Sequence, residues 1–256
     1  MKLLVLLSFV AVSLLFSSNA RAQMARPQVF AQESGVYKDL LMKNDELLYN
    51  MSWTYTKTTE GGKNVLVYQL KGDNGKKGAD RIDWTEDAKL EEVPTGYRTL
   101  YWKKSSTGAE QMDWELKYDW AAHKAYYKYA DRATGKKESK TLSFGDAAIP
   151  GDALYLVLRG FPFEKGAGTS MKGEVVNGDG TVLKGEIIHR GEENLATPQG
   201  TIAVYKLELK PTGLVGMLPT KLYIYMAKEA PHHCVRFDGL EGISRTKTVL
   251  YNYSAK

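Results

Sequence analysis

Four histidines (His123, His189, His232 and His233), one cysteine (Cys234) and thirty acids are the side chains here suited to metal binding or acid–base work. Only His232-His233-Cys234 brings soft ligands together, in the manner of a zinc or copper site. In an extended segment adjacent side chains point to opposite faces, so only His232 and Cys234 could share an ion, and no Cys-x-x-Cys partner supplies further ligands. The expectation is no metal: two histidines at a strand entry and a small buried thiol. Gly168-Thr169-Ser170-Met171-Lys172 lacks the closing glycine of a nucleophile elbow. Neither a phosphate-cradling loop nor a dinucleotide fingerprint occurs. Asn177 to Gly180 shares residues with a calcium loop but lacks the later carboxylates, and is read as a hairpin turn. Acid pairs such as Asp83 and Glu86 read as solvated faces. No catalytic residue and no cofactor are expected.

The elements that would carry these residues are strands. Sixteen tyrosines and five tryptophans against seven phenylalanines suit half-buried pleated faces. Met112 to Trp120 alternates fully, charged on one side and apolar on the other, so five large side chains share a face that must be covered. Met51, Trp53 and Tyr55 alternate likewise, and Gly61-Gly62 leads to a second apolar run from Val65 to Leu70. Ala121 to His123 and Thr134-Gly135 read as reversals, and Asn177-Gly178-Asp179-Gly180 as a hairpin turn between Met171–Val176 and Val182–His189. Later strands fit 201–210, 221–227, 234–237 and 246–253. Gly151 to Gly160 follows a proline and ends before Phe161-Pro162, which predicts a short helix with Asp152 as its N-cap. About ten or more strands at this spacing predict one all-β domain, a sandwich or barrel, over 45–256. Residues 23–44 read as a lead-in, with Tyr37 to Met42 making a turn or two of helix.

Met1-Lys2, the apolar run Leu3 to Phe16 and the small-residue site Ala20-Arg21-Ala22 read as a cleavable export signal, 1–22, too short for a membrane span. Removing Lys2 and Arg21 lowers the formal charge from +5 to +3, which argues for no nucleic-acid partner. No second apolar stretch of about twenty residues follows, so the expected product is periplasmic, without a transmembrane span. Pro211 to Pro219 is an apolar connection where a polar turn is the norm. Its Leu214, Val215, Met217 and Leu218 are expected to plug the core, with contact to a lipid, a membrane surface or a partner as the alternative.

In order, Glu46-Leu47-Leu48-Tyr49-Asn50-Met51-Ser52-Trp53, Trp114 to Trp120, Asp152 to Arg159 with Phe161-Pro162, Thr197-Pro198-Gln199-Gly200-Thr201, Gly213 to Lys221 and Val235-Arg236-Phe237 resemble the motifs of a bacterial exported family, domain of unknown function 3108. The resemblance spans roughly 44–240 and implies a periplasmic all-β protein with one strongly curved antiparallel sheet or partly open barrel, reminiscent of half-barrel carriers of acyl chains. It implies no activity. Tyr97 to Trp102, Tyr126 to Tyr129 and the Gly151-Asp152-Ala153 opening depart from the family pattern. The leading expectation is a non-enzymatic binding or envelope-maintenance protein whose apolar groove, lined by Trp53, Tyr55, Trp114, Leu116, Tyr118 and Trp120, takes a lipid-like ligand. The same alternation is equally compatible with a filled core. Two other classes are open: a secreted hydrolase or carbohydrate-active enzyme using a carboxylate pair, and a structural protein that adds an edge strand to an envelope complex.

Overall fold

A computed structural model describes residues 24–212 and 221–256. The expected export signal and the apolar connection at Leu214, Val215, Met217 and Leu218 lie outside the described residues. Among those described, fifteen strands form one sheet. The first eight are β1 (Gln32–Leu41), β2 (Leu47–Glu60), β3 (Lys63–Asp73), β4 (Ile82–Val93), β5 (Gly96–Gly108), β6 (Met112–Asp119), β7 (Lys124–Asp131) and β8 (Lys137–Ser143). After β9 (Ala148–Pro150) and a helical segment come β10 (Ser170–Val176), β11 (Val182–Thr197), β12 (Gly200–Pro211), β13 (Leu222–Ala227), β14 (Cys234–Glu241) and β15 (Ser244–Ala255). Spatial order runs β8 back to β1, then β15 back to β9. Every neighbouring pair is antiparallel except β9 and β10.

The connectivity forces the sheet to roll. Fifteen strands laid flat would span roughly 65–70 Å at the usual inter-strand spacing. Yet the two edge strands, β8 and β9, are joined only by Phe144 to Ala147, a link that reaches at most about 18 Å. The edges therefore lie close together in space without pairing. Side chains from both ends share one cluster: Trp114, Leu116, Tyr118 and Tyr127 from β6 and β7 pack with Val176 of β10. The β10–β11 turn tucks inside, so close that a Cβ on Gly178 would lie 2.5 Å from the Trp114 ring. Asn177 to Gly180 forms the expected turn, with the Asn177 N–H donating to the Thr181 carbonyl at 2.9 Å.

The helical segment fills the middle of the roll. It consists of a 3-10 turn (Gly151–Ala153), the helix α1 (Leu154–Val157) and a second 3-10 turn (Leu158–Gly160). Four α-helical residues are too few to be stable alone in water, so burial holds it. Ala153 and Leu156 enter the cluster of Trp53, Tyr55, Leu66 and Leu90. Leu158, with Phe161 and Phe163 beyond it, enters the cluster of Ile187, Leu207 and Ile224. The segment thus joins the two halves of the sheet. Asp152 is not the N-cap of α1, contrary to expectation: that position falls to Ala153, and the Asp152 carboxyl turns to Thr99.

Two other expectations are corrected. Tyr37 to Met42 is not helical: residues 32–41 form β1, which pairs with β2 on one side and β15 on the other. Glu33, Gly35, Tyr37 and Asp39 are buried at period two, and this tertiary pairing overrides the local pattern. Glu86 is not on a solvated face. It shares parity with buried Trp84, Ala88 and Leu90 and points inward, while Asp83 stays outside and pairs with Arg81.

Indole rings cross glycines on adjacent strands where the roll is tight. Gly72 pairs with Trp84, whose ring would lie 2.2 Å from a Cβ at Gly72. Gly72→Ala is expected to lower stability by about 1–3 kcal/mol through overpacking, read as a lower urea midpoint with an unchanged m-value.

Candidate functional site

The six aromatic and aliphatic residues expected to line a groove all face the concave side, but they fall into two packed groups. Trp53 and Tyr55 sit against Leu66, Leu70 and Leu156. Trp114, Leu116 and Tyr118 sit against Phe144 and Val176, with Trp120 partly buried beside them. Trp53 and Tyr55 meet edge to face at 5.2 Å, and Tyr118 stacks on Trp120 at 6.0 Å.

Between these groups lies a polar constellation that strand alternation puts on the inner face. From β4 comes Glu86, from β5 Thr99, Trp102 and Lys104, from β6 Tyr118, and from the helical segment Asp152. The Trp102 indole N–H donates to Glu86 at 3.2 Å, and Lys104 Nζ stands 3.9 Å from the same carboxylate. The Thr99 hydroxyl reaches both Asp152 oxygens at 3.3 and 3.4 Å, and the Trp120 indole N–H holds the Thr99 carbonyl at 2.8 Å. Gly151 lies against the Trp102 ring, where a Cβ would come within 3.2 Å. This brings Asp152 beside the indole that binds Glu86.

Burial pushes the Asp152 carboxyl up to about 8; Thr99 opposes this and the nearby Glu86 carboxylate adds to it. Burial also raises Glu86, against Lys104 and Trp102. Burial raises Tyr118 strongly, with the Asp152 charge adding to the effect. Asp152, Glu86, Trp102 and Tyr68 are only half-buried, although protein surrounds them.

A second network ties the other end of the helical segment. Arg159 makes a two-pronged pair with Glu33, Nη1 to Oε1 at 2.9 Å and Nη2 to Oε2 at 2.8 Å, with both side chains at most 3% exposed. Glu33 also accepts from the Phe30 N–H at 2.9 Å and the Tyr253 hydroxyl at 3.0 Å. Although burial favours its neutral form, these donors hold its carboxyl below the usual range. His233 stacks on Tyr253 with ring centroids 4.1 Å apart, and burial together with the Arg159 charge lowers it to about 4.

These contacts define a rolled, unclosed sheet around a tethered helical plug. A bacterial protein of known structure shares this fold. The β-barrel-like protein of domain of unknown function 1849 from Brucella abortus matches 90% of this chain and 99% of its own, with a TM-score of 0.55 at 9% identity. That likeness extends to the fold alone. A Bacteroides fragilis chain assigned as an exported protein with a YmcC-like fold and a Parabacteroides distasonis chain assigned as a lipoprotein align at TM-scores of 0.34 and 0.36, with 10% and 13% identity, each over 91% of this chain and 99% of their own. Those two scores are too low to carry an argument. No family model and no curated protein matches the chain, so the resemblance to domain of unknown function 3108 gains no support there.

Other residues considered from the sequence are placed elsewhere. His232 has a positive φ of 58° and turns its Nδ1 to the Ala227 carbonyl at 2.9 Å, while Cys234 lies in the core, its thiol pushed up to about 12 by burial. An open groove of about 490 Å³ crosses the outer face of β4 to β8, where Asp87, Asp113 and Glu115 alternate with Lys103 and Lys128. Its charges are balanced and solvated, as expected of an outer sheet face. No helix among the described residues is long and apolar enough to cross a membrane.

Proposed function

We propose that the protein is an exported, periplasmic, non-enzymatic binding protein of the cell envelope that holds a small ligand with an apolar body against the concave face of its rolled sheet. One observation carries this reading. Five buried polar atoms have no protein partner among the described residues: Trp53 Nε1, Tyr118 Oη, Arg159 Nε, His189 Nδ1 and His233 Nδ1. They are spread over the interior: Trp53 Nε1 lies over Gly35 of β1, Arg159 and His233 belong to the Glu33 network, His189 sits among Phe161, Phe163 and Tyr205, and Tyr118 is beside Asp152. Interior polar atoms are nearly always paired, so these orphaned atoms, above all Tyr118 Oη beside Asp152, support a concave face that meets something from outside the chain.

Aromatic rings on the same lining supply the apolar contact, as lipid-like ligands require. N-phenyl-1-naphthylamine, an uncharged apolar probe, is expected to bind saturably at one site per folded chain, read as a rise in its fluorescence. Absence of saturable binding by well-folded protein would remove the proposal.

Glu86 and Asp152, two interior carboxyls with raised proton affinity, favour a second reading as a hydrolase of glycosides. Turnover of nitrophenyl glycosides that is lost in Glu86→Gln would select it; the binding reading expects no turnover above background.

A further inference from the structure

The constellation at Asp152 is rich in acceptors. Glu86 and Asp152 bring four carboxylate oxygens, and the Thr99 hydroxyl, having given its proton to Asp152, keeps free lone pairs. The two indole N–H groups nearby are already used, Trp102 on Glu86 and Trp120 on the Thr99 carbonyl. Lys104 stands by Glu86, but among the described residues no lysine or arginine pairs with Asp152. A second and independent observation comes from Tyr118. The residue is 9% exposed, and its hydroxyl, buried and within the electrostatic reach of Asp152, has no partner. The surroundings are aromatic: Trp102, Trp120, Tyr68 and Tyr118 itself.

A group that completes this site must bring donors, need no acceptors, carry positive charge and tolerate aromatic faces. An ammonium group meets all four conditions, with three N–H donors and a charge attracted to ring faces. A sugar or glycerol head brings as many acceptors as donors, and a carboxylate head would set like charge against Asp152 and Glu86.

We propose that the interior site formed by Asp152, Thr99, Glu86 and Tyr118 binds the ammonium group of an organic amine whose apolar part lies along the aromatic lining. This rests on the binding reading above and gives it a ligand class: a primary amine joined to a hydrocarbon body, whether a free amine or an aminated lipid head.

Three probes with the same eight-carbon chain test it: octylammonium, octanoate and octyl glucoside, titrated calorimetrically below their micellar concentrations at mildly alkaline pH. There the amine is protonated and the carboxyl ionised. Octylammonium is expected to bind about tenfold or more tightly than either competitor, the equivalent of one charge-assisted hydrogen bond. Asp152→Asn should remove that preference while leaving the folded protein intact, since it swaps a buried acid for a neutral amide of the same shape. Tyr126→Ser, an exposed outer-face change, should leave it untouched. Equal binding of all three probes would overturn the ammonium site while leaving an apolar binding face. Tighter octanoate or octyl glucoside, an unchanged preference in Asp152→Asn, or a preference lost in Tyr126→Ser would also overturn it. Binding of none of the three would end both readings. A dioleoyl phosphatidylethanolamine vesicle against a dioleoyl phosphatidylcholine vesicle then separates the sources: extraction of the first lipid alone identifies an aminated lipid, and extraction of neither identifies a free amine.

Discussion

Arg159→Met is expected to destabilise the protein by about 3–5 kcal/mol, because it leaves the Glu33 carboxylate buried without its counterion. The pair is bidentate, both partners are at most 3% exposed, and the remaining donors to Glu33 are one backbone N–H and one tyrosine hydroxyl. For a chain of this size the melting temperature should fall by roughly 10 °C. The double variant Glu33→Leu/Arg159→Met should recover most of the loss, since buried pairs replaced together by apolar groups are close to neutral. Linkage gives an independent check. Burial alone would raise Glu33, but the Arg159 hydrogen bonds and charge dominate and hold its folded value below 4.5. Its contribution is therefore complete above that value and lost as the pH falls through the lower folded value. In Arg159→Met this acid-side loss should disappear. A single-variant cost under about 1 kcal/mol in urea unfolding would show that the network is not the tether of the helical segment.

That tether explains which parts of the molecule were legible in the sequence. Met112 to Trp120 alternates without exception and became β6, and the doubled turn dipeptides at Asn177 to Gly180 became the β10–β11 turn. The all-β class and the short helix at Gly151 to Gly160 followed from equally local patterns. What stayed hidden needed partners distant along the chain. Tyr37 to Met42 reads locally as a turn or two of helix because the partner that makes it strand, β15, pairs through residues more than two hundred positions away. Glu86 reads as solvated beside Asp83, although its parity with Trp84, Ala88 and Leu90 places it inside. The same parity, Glu33 with Gly35 and Tyr37, exposed an acid on an apolar face, but no local rule could name Arg159 as its counterion.

The two ends of the helical segment oppose each other electrostatically. At Arg159 the buried charge is matched and its partner stays ionised; at Asp152 it is unmatched and the carboxyl prefers its proton. A protein selected for stability alone would put an apolar or amide residue at Asp152. Keeping an unmatched acid among aromatic rings is the pattern of a site whose counterpart comes from outside. On this view the Glu33–Arg159 end anchors the plug in the roll, while the Asp152 end stays available to a ligand.

Asp152→Asn is accordingly expected to stabilise the free protein, increasingly so as the pH rises. Burial lifts the carboxyl from 3.8 to about 8, so the folded state holds the proton more tightly than the unfolded chain between those values. The Asp152 contribution to wild-type stability should then be greatest below about pH 4, decline as the pH rises, and level off above about pH 8. At 1.36 kcal/mol per pH unit the displacement is worth at most about 6 kcal/mol, and solvent around the half-buried carboxyl reduces this to roughly 3 kcal/mol. The groups facing Asp152 are Thr99, Glu86 with its Lys104, and the Tyr55, Tyr68 and Tyr118 rings. Of these Glu86 is the other carboxyl, itself raised by burial, and Asp152→Asn removes its like-charged neighbour, which adds in the same direction. His233, lowered to about 4, runs the other way, stabilising as the pH rises from 4 to 6.5, but it is common to both proteins and cancels in the difference. Urea unfolding of the two proteins at pH 4, 6 and 8.5 should show curves that nearly coincide at the lowest pH and separate by roughly 3 kcal/mol at the highest. A constant difference across the range, or a less stable variant at the alkaline end, would mean that Asp152 is ionised and satisfied within the chain, and the unmatched acid at the centre of the binding site would be gone.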